Sequence, residues 1–222
     1  MSGVLVVFAK RPEPGQVKTR LCPPFTAEQA AAFYACMLED VLETSARAAR
    51  ALGLEPVLAV HPPEAASTLP APAGLRREPQ LGADLGARME DAVLRELGAG
   101  RRPVLLRGSD SPTLGLATLE AALEALAKSD LVICPDRDGG YNLVGLVRAV
   151  PGLFSHPMST DSVLADTLAR ARLGGLTHSL LPAAFDVDGA ADLALLAAVR
   201  ARGEAGDCPR TLAWLDRHGW PT

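Results

Sequence analysis

The sequence predicts a three-layer α/β domain built on a mostly parallel sheet, and three observations carry that prediction. Short unbroken apolar runs recur along the 222 residues: VLVVFA at 4–9, PVLAVH at 56–61, PVLLR at 103–107 and DLVIC at 130–134. Runs of this length without polar alternation suit strands covered on both faces. Between them, apolar residues return every three or four positions, which is helical spacing. Strand and helix alternate at short intervals with no internal repeat and no interdomain linker, so a single domain over residues 1–222 is expected.

Each element has its own signal. The chain is apolar from Met1 to Phe8 but lacks a basic leader, and Lys10, Arg11, Pro12 and Pro14 follow at once. It reads as a buried first strand rather than a signal peptide. A polar loop runs from Lys10 to Phe25. Thr26 with Gln29 forms a capping box, and Phe33, Met37 and Val41 repeat every four residues, which predicts a helix from about Thr26 to Ala51 stopped by Gly53. Pro56 to His61 is the second strand, and the Pro- and Ala-rich stretch Pro62 to Pro72 is expected to be loop. Asp84 caps a helix with Leu85, Met89, Val93 and Leu97 on one face, ending at Gly98. Pro103 to Arg107 is a strand, and Leu116, Leu119, Leu123 and Leu126 mark a helix. Asp130 to Cys134 and Tyr141 to Val147 are strands. Helices are expected at about Asp161 to Arg172, Ala191 to Arg202 and Arg210 to His218, with strand-like residues between Leu176 and Phe185.

Composition excludes several functions. Hydrophobic residues make up 48% and charged residues 22%, so the chain is not a disordered one. The net charge of −4 and the 4% of aromatic residues argue against nucleic acid as a partner, since neither a basic face nor stacking platforms are indicated. No run approaches the length of a membrane span. Cys22, Cys36, Cys134 and Cys208 are widely spaced with no C-x-x-C, which offers neither a zinc knuckle nor a redox motif; a reduced, cytoplasmic protein is expected.

In a mostly parallel sheet, ligands sit at the carboxyl ends of the strands, so the loops after the strands are where chemistry is sought. The first strand opens into KRPEPGQVKTR, which carries Lys10, Arg11, Lys18 and Arg20, with Gly15 permitting close backbone approach. This is either a solvated basic loop or a clamp for phosphates. It is not a Walker A loop, and no G-x-G-x-x-G follows the strand. The third clear strand ends in Arg107-Gly108-Ser109-Asp110-Ser111-Pro112. Asp110 there is either a ligand for Mg²⁺ or Mn²⁺ beside phosphates or a helix cap. Phe185-Asp186-Val187-Asp188 again follows an apolar stretch, and Val187 separates two carboxylates that point the same way in extended backbone. Asp186-Val187-Asp188-Gly189 mimics the nucleophile motif of haloacid-dehalogenase-type phosphatases, but too little chain follows it for that fold. No G-x-S-x-G occurs, and His61, His156, His178 and His218 have no ligand spacing. Asp138-Gly139-Gly140-Tyr141 is a strong hairpin-turn signal, and Asp138 can also accept a proton from an attacking hydroxyl. Gln80 precedes a capped helix and is either a solvated loop residue or a group that meets a nucleobase.

The stretches FAKRPEPGQVKTRL (8–21), QLGADLGARM (80–89), GSDSPTL (108–114), DRDGGYNLVG (136–145), STDSVLADT (159–167) and DVDGAADL (186–193) occur in an order that resembles the DUF2064 group of bacterial proteins. That group is also labelled the arsenosugar-biosynthesis-type glycosyltransferase family. The resemblance implies a Rossmann-like GT-A fold, that of nucleotide-diphospho-sugar transferases, with a mixed sheet and one nucleotide site. The sequence is also similar to nucleotidyltransferases of that superfamily, including the molybdopterin and 2-phospholactate guanylyltransferases; Lys18-Thr19-Arg20-Leu21 looks like the Lys-Ser-Arg-Leu of the latter. By this resemblance Asp110 is the metal aspartate and Asp188 the second, Lys18 and Arg20 lie near donor phosphates, and Gln80 and Gly82 lie near the base. Asp110 departs from the Asp-x-Asp of many glycosyltransferases by standing alone.

The expectation is therefore a glycosyltransferase dependent on Mg²⁺ or Mn²⁺. Asp110 and Asp188 hold the ion, Lys10, Gly15, Lys18 and Arg20 meet the phosphates, and Asp138 is the base. Gly139, Gly140 and Tyr141 lie beside a small acceptor of unknown identity. A nucleotidyltransferase acting on an NTP and a phosphorylated acceptor is the alternative, and a nucleotide-sugar sensor without turnover is the third reading.

Overall fold

The structure, a computed structural model, describes residues 3–203 and 207–220; Met1 and Ser2 of the expected first strand, and the ends of the expected 1–222 domain, lie outside the described residues. Among these, seven strands form one sheet: β1 (Val4–Lys10), β2 (Glu55–His61), β3 (Arg76–Pro79), β4 (Val104–Gly108), β5 (Leu131–Pro135), β6 (Tyr141–Leu146) and β7 (His178–Leu180). Their order is β3-β2-β1-β4-β6-β5-β7. All neighbouring pairs are parallel except those that β6 makes with β4 and β5. The sheet is thus mixed and mostly parallel, as expected.

The helices are α1 (Ala27–Leu52), α2 (Leu85–Gly98), α3 (Leu116–Leu126), α4 (Val163–Leu173), α5 (Ala190–Ala201) and α6 (Pro209–Arg217). Alternation along β1 assigns the layers. Val4, Val6 and Phe8 pack with Met89, Val93 and Leu97 of α2 and with Leu168 and Ala171 of α4. Leu5, Val7 and Ala9 face the opposite side, where α1 and α3 lie. The α5 and α6 helices cover the flank of α1 through Phe33, Met37, Leu196 and Trp214.

Local signals explain most boundaries. Thr26 accepts from the Gln29 N–H while Gln29 accepts from the Thr26 N–H, and Gly53 ends α1 in the left-handed conformation at φ 66°. Asp84 caps α2 through the Ala87 N–H at 2.8 Å. The start of α6 is capped from elsewhere: buried Asp40 accepts from the Thr211 N–H at 2.8 Å and its hydroxyl at 2.7 Å. The region expected to be loop after β2 contains a short 3₁₀ turn at Pro63–Ser67.

The sequence pattern does not announce β3. Its residues, RREP, carry no apolar run. Pairing with β2 and a charge network hold this edge strand instead: Arg76 donates to Glu55 at 2.6 Å and to buried Glu96 at 3.0 Å, and Arg95 pairs with Glu78 at 2.7 Å. Charges on an edge strand also discourage further pairing.

Candidate functional site

The carboxyl ends of β1, β4 and β5 share one edge of the sheet. Because β6 is antiparallel, its first residues, Tyr141 and Asn142, reach the same edge. An open cleft of about 680 Å³ lies there. Lys10, Lys18, Arg20, Gln80, Asp110, Asp138, Gly140, Tyr141 and Asp188 line it; Gly15, Gly82 and Gly139 do not.

One end of the cleft is a compensated charge cluster. The Lys18 ammonium donates to the Asp110 carboxylate and, at 2.9 Å, to Asp188 Oδ1. The Lys18 side chain is only 4% exposed, whereas both carboxylates are 40% exposed to the cleft. Burial opposes the charge on Lys18, but Asp110 and then Asp188 more than offset it, so its pKa is raised. Lys18 sits at φ 49°, the one non-glycine residue at positive φ among the described residues. Such backbone costs free energy and is held here by the two ion pairs. Arg20, largely exposed, lies 3.7 Å from Asp188.

The meeting of Asp110 with Asp188 has a backbone cause. After β7 the chain runs along the end of β5, where the Ala184 N–H donates to Pro135 O at 3.0 Å. It then crosses to the loop after β4, where the Val187 N–H donates to Asp110 O at 2.9 Å. Asp188 therefore stands beyond a strand rather than at a strand end, but on the expected edge. Neither aspartate caps a helix: the N-cap of α3 is Gly115 and that of α5 is Gly189. From beneath, fully buried Arg107 shapes the Asp110 loop. It donates to Gly108 O at 3.3 Å, to Ser111 O at 2.7 Å and to Leu114 O at 3.0 Å. Burial without a bonded carboxylate lowers its pKa to about 10.

The floor carries further polar groups, Asp186 of the Asp186-Val187-Asp188 motif and Tyr34, which no motif marks. Asp186 accepts from the Ser111 hydroxyl and from Asn142 Nδ2 at 2.7 Å. Burial, and then the nearby Asp110 carboxylate, push its pKa up to about 7. Tyr34 is buried with its hydroxyl 2.8 Å from Ser109 Oγ, and burial pushes that phenol up to about 12.

The Asp138-Gly139-Gly140 turn joins β5 to β6 and also borders the cleft. Asp138 accepts from the Gly140 N–H at 2.9 Å, and its pKa is raised by burial and by a hydrogen bond shared with Asp136. Gly139 does not face the cleft; a Cβ there would lie 2.0 Å from Asp161 O. That close approach seats the Met158–Asp161 segment, which forms the opposite wall.

The other end of the cleft is different. Gln80 is not a solvated loop residue. It is 5% exposed, and its amide nitrogen donates to Ala9 O at 3.1 Å and Ala59 O at 2.9 Å, tying β1 to β2. Gly82, at φ 146°, packs under the first turn of α2, where a Cβ would meet the Arg88 N at 2.6 Å. Arg88 lines the cleft, although no motif marks it.

The donor chemistry at Asp110 and Asp188 fits a hard divalent ion, because two carboxylates already converge on one cation. Among the described residues no group of three or more His, Cys, Asp and Glu is arranged to hold a metal. A divalent ion there would take two carboxylates from the protein and would need its remaining ligands from elsewhere.

Comparison with known proteins gives a family and a fold. The family model described as "Uncharacterized protein conserved in bacteria (DUF2064)" matches residues 44–160. A solved protein from Desulfovibrio desulfuricans, provisionally named a nucleotide-diphospho-sugar transferase, is 30% identical. The match covers 99% of this chain and 96% of that one, with a TM-score of 0.85. More distant structures share the fold. A cytidylyltransferase from Leptospira borgpetersenii is 12% identical over 99% of this chain and 95% of its own, with a TM-score of 0.55. The 4-diphosphocytidyl-2C-methyl-D-erythritol synthase from Anaerococcus prevotii is 12% identical over 87% of this chain and 96% of its own, with a TM-score of 0.52. No curated protein matches the chain. No helix among the described residues is long and apolar enough to cross a membrane.

Proposed function

We infer that this chain, which belongs to the DUF2064 family, is a metal-dependent glycosyltransferase that moves a sugar from a nucleotide-diphospho-sugar to a small acceptor. The observation that carries the reading is the Lys18 ammonium bonded to both Asp110 and Asp188 at the mouth of a cleft on the carboxyl edge of the sheet. The provisional name of the Desulfovibrio relative supports it.

In this reading Asp110 and Asp188 hold Mg²⁺ or Mn²⁺. The bound ion supplies Lewis-acid neutralisation of the diphosphate leaving group. Lys18 and Arg20 add fixed positive charge where the sugar–phosphate bond breaks and negative charge grows on the diphosphate. The acceptor hydroxyl forms the new bond to the sugar carbon, and its proton passes to Asp138. The Gly140 N–H fixes that carboxylate, and its raised pKa makes it a better proton acceptor than an ordinary aspartate. Gly140 and Tyr141 border the acceptor.

Incubation with UDP-, GDP- and TDP-sugars and with NTPs, each with Mn²⁺, tests the reading. Release of a nucleoside diphosphate from a nucleotide-sugar, abolished by chelation and by Asp110→Asn, is the expected result. Release of pyrophosphate from an NTP would replace it with nucleotidyl transfer. Tight metal-dependent binding without turnover would make the protein a sensor.

A further inference from the structure

Four cationic side chains line the cleft, and they are not in the same condition. Lys18 and Arg20 are already paired with carboxylates. Lys10 Nζ and the Arg88 guanidinium make no hydrogen bond or ion pair among the described residues. Arg88 Nε is moreover buried without a partner. Its nearest charged influence is Asp84, whose carboxylate already caps α2 through the Ala87 N–H.

The two unpaired cations belong to one neighbourhood. Lys10 ends β1 directly opposite His61 of β2, and Arg88 stands on the first turn of α2. His61 feels both. Its pKa is lowered by burial, then by Arg88, then by Lys10, with Glu64 opposing, and its Nδ1 is buried without a partner. The neighbourhood is thus a pocket of positive potential beside an N-terminal helix turn, which adds its own partial positive charge.

A buried guanidinium nitrogen without an acceptor is costly, because a desolvated donor loses its bonds to water. Within the cleft, an anionic group of a ligand pairs instead with the ammonium and guanidinium donors that have no carboxylate partner. Guanidinium and ammonium groups are the side chains that take phosphate oxygens, the first in a fixed fork and the second as a point charge.

We propose that Lys10 and Arg88 form a seat for the diphosphate of the nucleotide substrate, separate from the Lys18–Asp110–Asp188 cluster. This rests on the glycosyltransferase reading for the identity of the ligand but not for the existence of an anion seat. It divides the work of the cations. Lys10, exposed, and Arg88, partly buried, line the cleft without a carboxylate partner, so they supply ground-state affinity. Lys18 and Arg20 are engaged with the carboxylates, so they act on the reacting bond. The sequence groups Lys10 with Lys18 and Arg20 at the phosphates, and Arg88 has no place in that motif.

Calorimetry at fixed salt tests the seat. The titrants are UDP, GDP, CDP and TDP, each with its nucleoside as a control, together with inorganic pyrophosphate. The proteins are wild type, Arg88→Gln, Arg88→Lys and Lys10→Gln. Loss of one charged contact is expected to weaken the bound diphosphate roughly tenfold or more, while nucleoside affinity stays unchanged. Arg88→Lys recovers part of the loss. In turnover the same variants raise KM and leave kcat within about twofold, the mark of uniform binding. Unchanged diphosphate affinity in Arg88→Gln, or an equal loss for nucleoside and diphosphate, overturns the seat. If wild type binds pyrophosphate through Arg88 but no nucleotide, the seat stands and the nucleotide reading falls. If it binds neither, both fall.

Discussion

The cleft holds cations of the same kind in opposite states. Lys18 is buried, held at positive φ and shared between Asp110 and Asp188. Arg88 and Lys10, by contrast, carry no paired carboxylate, and burial, then Arg88 and Lys10, lowers the pKa of the neighbouring His61. Counting basic residues in a loop does not tell which of them already have a carboxylate partner. Lys18 acts together with the two carboxylates it bridges, whereas Arg88, which no motif marks, makes no ion pair among the described residues.

The largest effect is expected where the compensated end is broken. Lys18→Met leaves two converging carboxylates without their cation. Turnover is expected to fall by roughly a hundredfold or more, the loss typical of a group that stabilises developing charge. Lys18→Arg keeps the charge and recovers part of the rate. A Lys18→Met variant with near-normal kcat would show that the ion pairs are structural only. Asp110→Asn and Asp188→Asn come next: each is expected to lose Mn²⁺-dependent nucleotide binding in calorimetry. Each also lowers the melting temperature slightly, because Lys18 keeps one partner instead of two.

Arg107 sharpens the comparison from below. Its three backbone acceptors lie on the segment that carries Asp110, so Arg107→Met leaves several carbonyls unpaired. Denaturant unfolding is expected to show a loss of about 3 kcal/mol. Unchanged stability would mean that the loop holds its shape without the guanidinium.

The smallest effect is a titration. His61 has its pKa depressed below the ordinary 6.5, so the unfolded chain binds the proton more readily. The imidazole is neutral at pH 7, and its contribution to stability is lost as pH falls through 6.5 and below. An NMR titration of His61 is expected to give a midpoint under 6.5 that moves upward in Arg88→Gln. A midpoint unaffected by that substitution would remove Arg88 from the local field.

Much of this was legible in the sequence for identifiable reasons. The Thr26–Gln29 box, Gly53 and Asp84 are local signals, and local signals set helix ends. Unbroken apolar runs set the buried strands. From these the edge carrying Asp110 and Asp138 followed, because parallel strands place their following loops together. What stayed hidden depends on contacts between distant residues. β3 is written in charges that find partners on β2 and α2, not in apolar residues. Gln80 looks like a loop polar group, yet two carbonyls from β1 and β2 consume its amide. Arg88 has no sequence signal, because what marks it is the lack of a partner in three dimensions. Asp186 was visible beside Asp188, but only the fold shows it turned toward Ser111 and Asn142.

In the proposed function this cleft binds a nucleotide-diphospho-sugar with a divalent ion on Asp110 and Asp188. Diffraction at the manganese absorption edge, from crystals grown with Mn²⁺ and the nucleoside diphosphate that calorimetry selects, tests it most directly. An anomalous peak is expected within about 2.6 Å of carboxylate oxygens of both aspartates, with the diphosphate reaching from that ion toward Arg88. A nucleotide bound outside the cleft, or one bound inside it with no manganese at either aspartate, would contradict the account.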